Sequence, residues 1–81
     1  MKNYTYRVII EPDGKCFHAY APALPGCHTF GKTIVEARKH IKEAIMGYIE
    51  SLVKEGIVIP KDEGMETYES VRLDSAMNVY A

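Results

Sequence analysis

Residues 16–37 read Cys-Phe-His-Ala-Tyr-Ala-Pro-Ala-Leu-Pro-Gly-Cys-His-Thr-Phe-Gly-Lys-Thr-Ile-Val-Glu-Ala, and this stretch decides the fold. Two strand-like runs, Cys16–Ala21 and Cys27–Phe30, flank the loop Pro22-Ala23-Leu24-Pro25-Gly26. Neither proline can donate to a ladder, so the chain must turn between the runs. Pro25-Gly26 suits the central pair of a type II turn, with Gly26 at positive φ. Gly31-Lys32-Thr33-x-x-Glu36 then reads as a capping box, with Thr33 as cap and Glu36 reaching back. The segment therefore folds as strand, proline turn, strand and helix start.

Upstream, Tyr4–Glu11 alternates, with Tyr4, Tyr6, Val8 and Ile10 on one side, as a half-buried strand does. Pro12-Asp13-Gly14-Lys15 is expected to turn it into the second strand. In that second strand Phe17, Ala19 and Ala21 face the core, and Cys16, His18 and Tyr20 face away. Downstream, a helix is expected from Lys32 or Thr33 to about Lys54, stopped by Glu55-Gly56. At 100° per residue, Ile34, Ala37, Ile41, Ala44, Ile45, Tyr48 and Leu52 form its core stripe. Ile57-Val58-Ile59-Pro60 leaves the helix extended. Thr67–Leu73 alternates as a last strand should, with Val71 and Leu73 inward.

A second apolar flank, Val35, Met46, Ile49 and Val53, lies roughly 60–120° round from that stripe, beside Arg38, Lys39 and Lys42. Two readings fit it. The chain's own residues 57–59 and last strand could cover it, or Met46, Ile49 and Val53 could be an oligomer interface. Gly47, mid-helix on the polar face, is either tolerated there or a point of close helix approach.

The chain has 81 residues, enough for one domain with a thin core. The expected organisation is one domain, 1–81, with a meander over 4–31, the helix over 33–55 and an extended segment with a last strand over 57–81. Two cysteines make no disulfide framework, which points to a reducing cytoplasm. No apolar run is long enough to span a membrane. A net charge of −1 argues against a protein built to grip phosphates. The charge is uneven, however. Residues 1–54 carry eight Lys/Arg against five Asp/Glu, whereas residues 55–81 carry two against six. Asp62, Glu63, Glu66 and Glu69 lead the acidic part, which reads first as a solvated connection and second as a candidate surface for a basic partner.

Enzyme chemistry finds little support. Cys16, His18, Cys27 and His28 suit zinc by type, but they lack the usual ligand spacing. Cys27 and His28 are strand neighbours whose side chains diverge, so no thiol–imidazole pair is expected. His40 reads as a solvated helix residue. No cofactor is implied.

The joined Leu-Pro-Gly-Cys turn and Thr-x-x-Glu-Ala helix start, followed by Ile41-x-Glu43-Ala44-Ile45-x-x-Tyr48-Ile49-x-x-Leu52 and Gly56-x-x-Ile59-Pro60, resembles the HicB family of bacterial and archaeal antitoxins. The resemblance runs from about Phe17 to Pro60. It implies an α+β fold in the order β-β-β-α-β, a small antiparallel sheet with one long helix on one face, of truncated ribonuclease H-like type. A nuclease on such a fold needs converging carboxylates. The expected first strand offers only Glu11, and Glu36, Glu43 and Glu50 face water. The resemblance implies instead an antitoxin that binds and neutralises a HicA-like mRNA-cleaving toxin by occlusion. Many family members add a C-terminal DNA-binding domain. This chain ends at Ala81, so DNA binding by it alone is not expected. The alternative function is a stand-alone homo-oligomeric module that binds a ligand or protein without a toxin.

Overall fold

The computed structural model describes residues 2–74. Three strands, β1 (Ile9–Asp13), β2 (Cys16–Tyr20) and β3 (His28–Gly31), form an antiparallel sheet in the order β1-β2-β3. The helix α1 (Ile34–Lys54) packs across one face of this sheet.

The first strand is shifted from its expected place. Ile9 pairs with Tyr20 and Asp13 with Cys16, so Pro12 and Asp13 belong to the ladder. Residues 4–8 precede the ladder because β2 ends at Tyr20 and Pro22 has no N–H to offer them. The hairpin loop shrinks to Gly14-Lys15. Only Gly14 has positive φ, +62°, which is the type II′ pattern and its demand for glycine at the first central position. Pro12 is tolerated because β1 is an edge strand.

The proline loop consists of two successive turns. Leu24 N–H donates to the Ala21 carbonyl at 3.0 Å, and Cys27 N–H donates to the Leu24 carbonyl at 3.0 Å. Gly26 at φ +80° completes the second as the expected type II turn. Between the turns, Leu24 points inward and is the largest fully buried side chain.

Thr33 caps α1. Its hydroxyl accepts from Glu36 N–H at 3.0 Å, while the Glu36 carboxylate reaches past the cap to Lys32 N–H, also at 3.0 Å. The helix ends in a Schellman motif: Ile57 N–H donates to the Leu52 carbonyl and Gly56 N–H to that of Val53, with Gly56 at φ +70°.

The core is built from small residues. Ala19, Ala21, Leu24, Cys27, Ala37 and Ile41 are buried, with Tyr6, Val8, Ile10, Phe17, Ala44, Ile45 and Tyr48 packed around them. The expected core stripe holds in its middle and fails at its start, where Ile34 is 52% exposed. A helix of 21 residues is about 31 Å long. Strands of four or five residues cover only about 17 Å. The helix therefore overhangs its sheet.

The expected last strand is absent: among the described residues, 57–74 form no helix or strand. Val71 and Leu73, expected inward, are 86% and 52% exposed. Residues 75–81 of the expected final segment lie outside the described residues. The observed order is thus β-β-β-α followed by an arm. Its root is held by side chains, with the Tyr6 hydroxyl donating to the Pro60 carbonyl at 2.6 Å.

Candidate functional site

The sequence nominated an acidic segment and a helix flank, and the structure adds a third surface. In the acidic segment, Asp62 plays a different part from its neighbours. Its carboxylate accepts from the Arg7 backbone N–H at 2.7 Å and from the Arg7 guanidinium at 3.1 Å. It also accepts from Gly64 N–H at 3.1 Å, and its side chain keeps only 4% of its accessible surface. Those donors hold its carboxyl below the usual aspartate range, the Arg7 backbone N–H most of all, outweighing the opposing effect of burial. Arg7 also donates to the Met65 carbonyl at 3.4 Å. Asp62 is therefore an anchor for the arm, with its charge matched inside the chain. Glu63, Glu66 and Glu69 are exposed on the arm beyond that anchor.

On the helix, Val35, Met46 and Val53 are 78%, 57% and 60% exposed, and Ile49 is half-buried. Val58, one of the residues that could have covered them, is itself exposed. Val35, Met46 and Val53 thus stay more than half exposed, while the N-terminal segment at Tyr4 lies along Met46 and Ile49. A Cβ built on Gly47 would meet nothing within 4 Å, so packing within this chain does not require glycine there.

The third surface is the sheet face opposite the helix. The alternation that turns Phe17 and Ala19 toward the core sends Cys16, His18 and Tyr20 to this side. The His18 ring stacks on Tyr20 at 5.5 Å between centroids, meets His28 edge-on at 5.3 Å, and lies 4.9 Å from Phe30. A concavity of about 600 Å³ beside this cluster is lined by His18, Tyr20, Leu24, Pro25 and His28 among others. The strand alternation placed these residues on one face. Their meeting as a cluster depends on the β2–β3 register, which sets His18 opposite Phe30 and Tyr20 opposite His28.

Cys27 is buried in the core cluster, and burial pushes its thiol pKa up, disfavouring the nucleophilic thiolate. Among the described residues no three His, Cys, Asp or Glu side chains gather to hold a metal ion. β1 carries Asp13 as well as Glu11, one carboxylate more than the sequence reading assigned it. His40 is not the free surface residue expected: its Nδ1 lies 2.7 Å from the Phe30 carbonyl. A carbonyl can only accept, so Nδ1 carries the proton and ties helix to sheet.

A three-stranded sheet under one long helix, with an exposed acidic arm, an exposed apolar helix flank and an aromatic cluster on the opposite sheet face, defines a small α+β protein. The chain belongs to the HicB-like antitoxin family, since the family model described as "HicB_like antitoxin of bacterial toxin-antitoxin system" matches residues 6–76. A UPF0150 protein of Thermoplasma acidophilum is 52% identical over 62 residues, covering 75% of this chain and 90% of the relative. A UPF0150 protein of Synechocystis is 47% identical over 62 residues, covering 74% and 77%. The crystal structure of the N-terminal domain of Burkholderia pseudomallei antitoxin HicB matches with a TM-score of 0.56 at 32% identity, covering 79% of this chain and 69% of that one. No helix among the described residues is long and apolar enough to cross a membrane.

Proposed function

We propose that this chain is an antitoxin that neutralises a HicA-like mRNA-cleaving toxin by stoichiometric occlusion, in the cytoplasm and without catalysis of its own. The observation that carries the reading is membership of an antitoxin family together with an exposed row of acids. An RNA-cleaving toxin must present a positive surface to its substrate, and opposite charge on an inhibitor gives both encounter rate and register. Glu63, Glu66 and Glu69 supply that charge, and Asp62 holds the arm that displays it. In this reading the frame is a truncated ribonuclease H-like fold used as a docking platform, and the protomers associate through Met46, Ile49 and Val53.

The test is association kinetics with the toxin encoded beside this gene. Glu63→Lys combined with Glu66→Lys should slow association several-fold at low salt, and the difference should shrink as ionic strength rises. Rates that ignore both the reversals and the salt would refute the electrostatic role. The second reading, a homo-oligomeric module without a toxin, is favoured by the exposed helix flank alone. Co-expression with the neighbouring gene followed by pull-down separates the two, since only the antitoxin reading requires a stable complex.

A further inference from the structure

A groove of about 310 Å³ runs between the N-terminal segment and α1. Tyr4, Ile45, Met46 and Ile49 line it, and the exposed Lys2 and Lys42 stand beside them, with Glu50 also on its wall. On the helix, Val35, Lys42, Met46 and Val53 fall within about 40° of one line. The acceptor is thus an apolar strip with lysine set into it.

The arm has the opposite character. Met65, Tyr68 and Val71 are 85%, 88% and 86% exposed, an uncommon condition for three large apolar side chains within seven residues. Laid out as a strand, Met65, Glu69, Val71 and Leu73 share one side, so an acid sits within an apolar row. As a strand, Met65–Leu73 spans about 26 Å. Val35–Val53 on the helix spans about 27 Å. Charge agrees with length: residues 65–73 carry Glu66 and Glu69 against Arg72, a net −1, and the groove carries Lys2 and Lys42 against Glu50, a net +1. The arm also leaves the body from a fixed point, because Arg7 and Tyr6 hold its root at Pro60–Met65.

We propose that residues 65–73 of one copy occupy the groove along α1 of a second copy, with Glu69 set against Lys42 and the exchange reciprocated to close a dimer. Two-fold symmetry makes each arm's loss of exposed apolar surface also the covering of the other copy's helix flank. Glu66 and Tyr68 lie on the opposite side of the strand from Glu69 and stay outward, so in the dimer Glu63 and Glu66 carry the charge left for a toxin and Glu69 does not. The inference deepens the protomer association proposed above and does not involve the toxin.

The experiment is sedimentation equilibrium of the intact chain with no toxin present. The wild type should form a species of twice the 9.1 kDa chain mass. Glu69→Lys and Lys42→Glu should each weaken the dimer on the order of tenfold or more, because each puts like charges face to face. The double variant Glu69→Lys/Lys42→Glu should recover most of the loss, which a folding defect would not do. In a Cys16→Ser background, mixing Met46→Cys copies with Val71→Cys copies should give an interchain disulfide that depends on both. A monomer at all concentrations, absence of rescue in the double variant, or no disulfide between Met46→Cys and Val71→Cys copies would overturn the proposal. Each of those results leaves the antitoxin reading standing, whereas an intact dimer that captures no toxin sinks that reading alone.

Discussion

Asp62 shows how one residue can change part between sequence and structure. In the sequence it heads an acidic run and reads as displayed charge. In the fold it is enclosed by Arg7 N–H, the Arg7 guanidinium and Gly64 N–H. Its folded pKa is lowered, so its contribution to stability is present above the ordinary aspartate value and is lost as pH falls through the lower folded value. Acidification below about pH 4 should therefore release the arm root first. Amide exchange at Gly64 should rise over that window, and Asp62→Asn should show the raised exchange already at neutral pH. Equal protection of Gly64 in wild type and variant at neutral pH would contradict the anchor. No local pattern reports this pair, because Arg7 and Asp62 are 55 positions apart and only the fold brings them together.

At the scale of elements, the turns and caps were legible because their chemistry is local. Pro25-Gly26, Thr33 with Glu36, and Gly56 each determine backbone geometry through the residue's own φ preference or through bonds within a few positions. Gly31 is a different case. A Cβ there would lie 2.7 Å from Ala37 Cα, so this glycine exists to let α1 lie on β3. Its φ is unremarkable, and nothing in the neighbouring sequence signals the contact. Gly31→Ala should destabilise the fold by about 1–3 kcal/mol through overpacking. Gly47→Ala, where a Cβ meets nothing, should instead stabilise the helix by up to about 1 kcal/mol. Urea denaturation of the two variants should give shifts of opposite sign. The overestimated last strand belongs to the same scale. Thr67–Leu73 has the period of a strand, but a strand needs a partner edge, and alternation does not supply one.

For the whole molecule, the mismatch between a 21-residue helix and four- or five-residue strands is the governing fact. The radius of gyration, 17.1 Å, exceeds the roughly 12 Å of a compact chain this long. A thin core of three alanines, a cysteine, Leu24 and Ile41 has little stability in reserve. Covering the overhanging flank with a second protomer would add to it. Met46→Glu with Val53→Glu should abolish self-association while circular dichroism shows an intact helix, since both side chains are already more than half exposed. Glu43→Lys, on another side of the helix, should leave association unchanged. Loss of assembly in both variants alike would point to a general charge effect and against this face.

By itself the sequence determined what depends on neighbours along the chain: three strands, two turns, a capped helix, the core side of β2 and the resemblance that named the family. Periodicity and φ preference act over a few residues, so they can be read there. The tertiary structure alone decided which acid is spent on Arg7, that Leu24 closes the core from inside a loop, that His18 gathers Tyr20, His28 and Phe30, and that the arm finds no strand to pair with among the described residues. Each of those outcomes is a contact between residues apart in sequence, or the lack of one. Such contacts depend on register, element length and the approach of helix to sheet, which no single segment encodes.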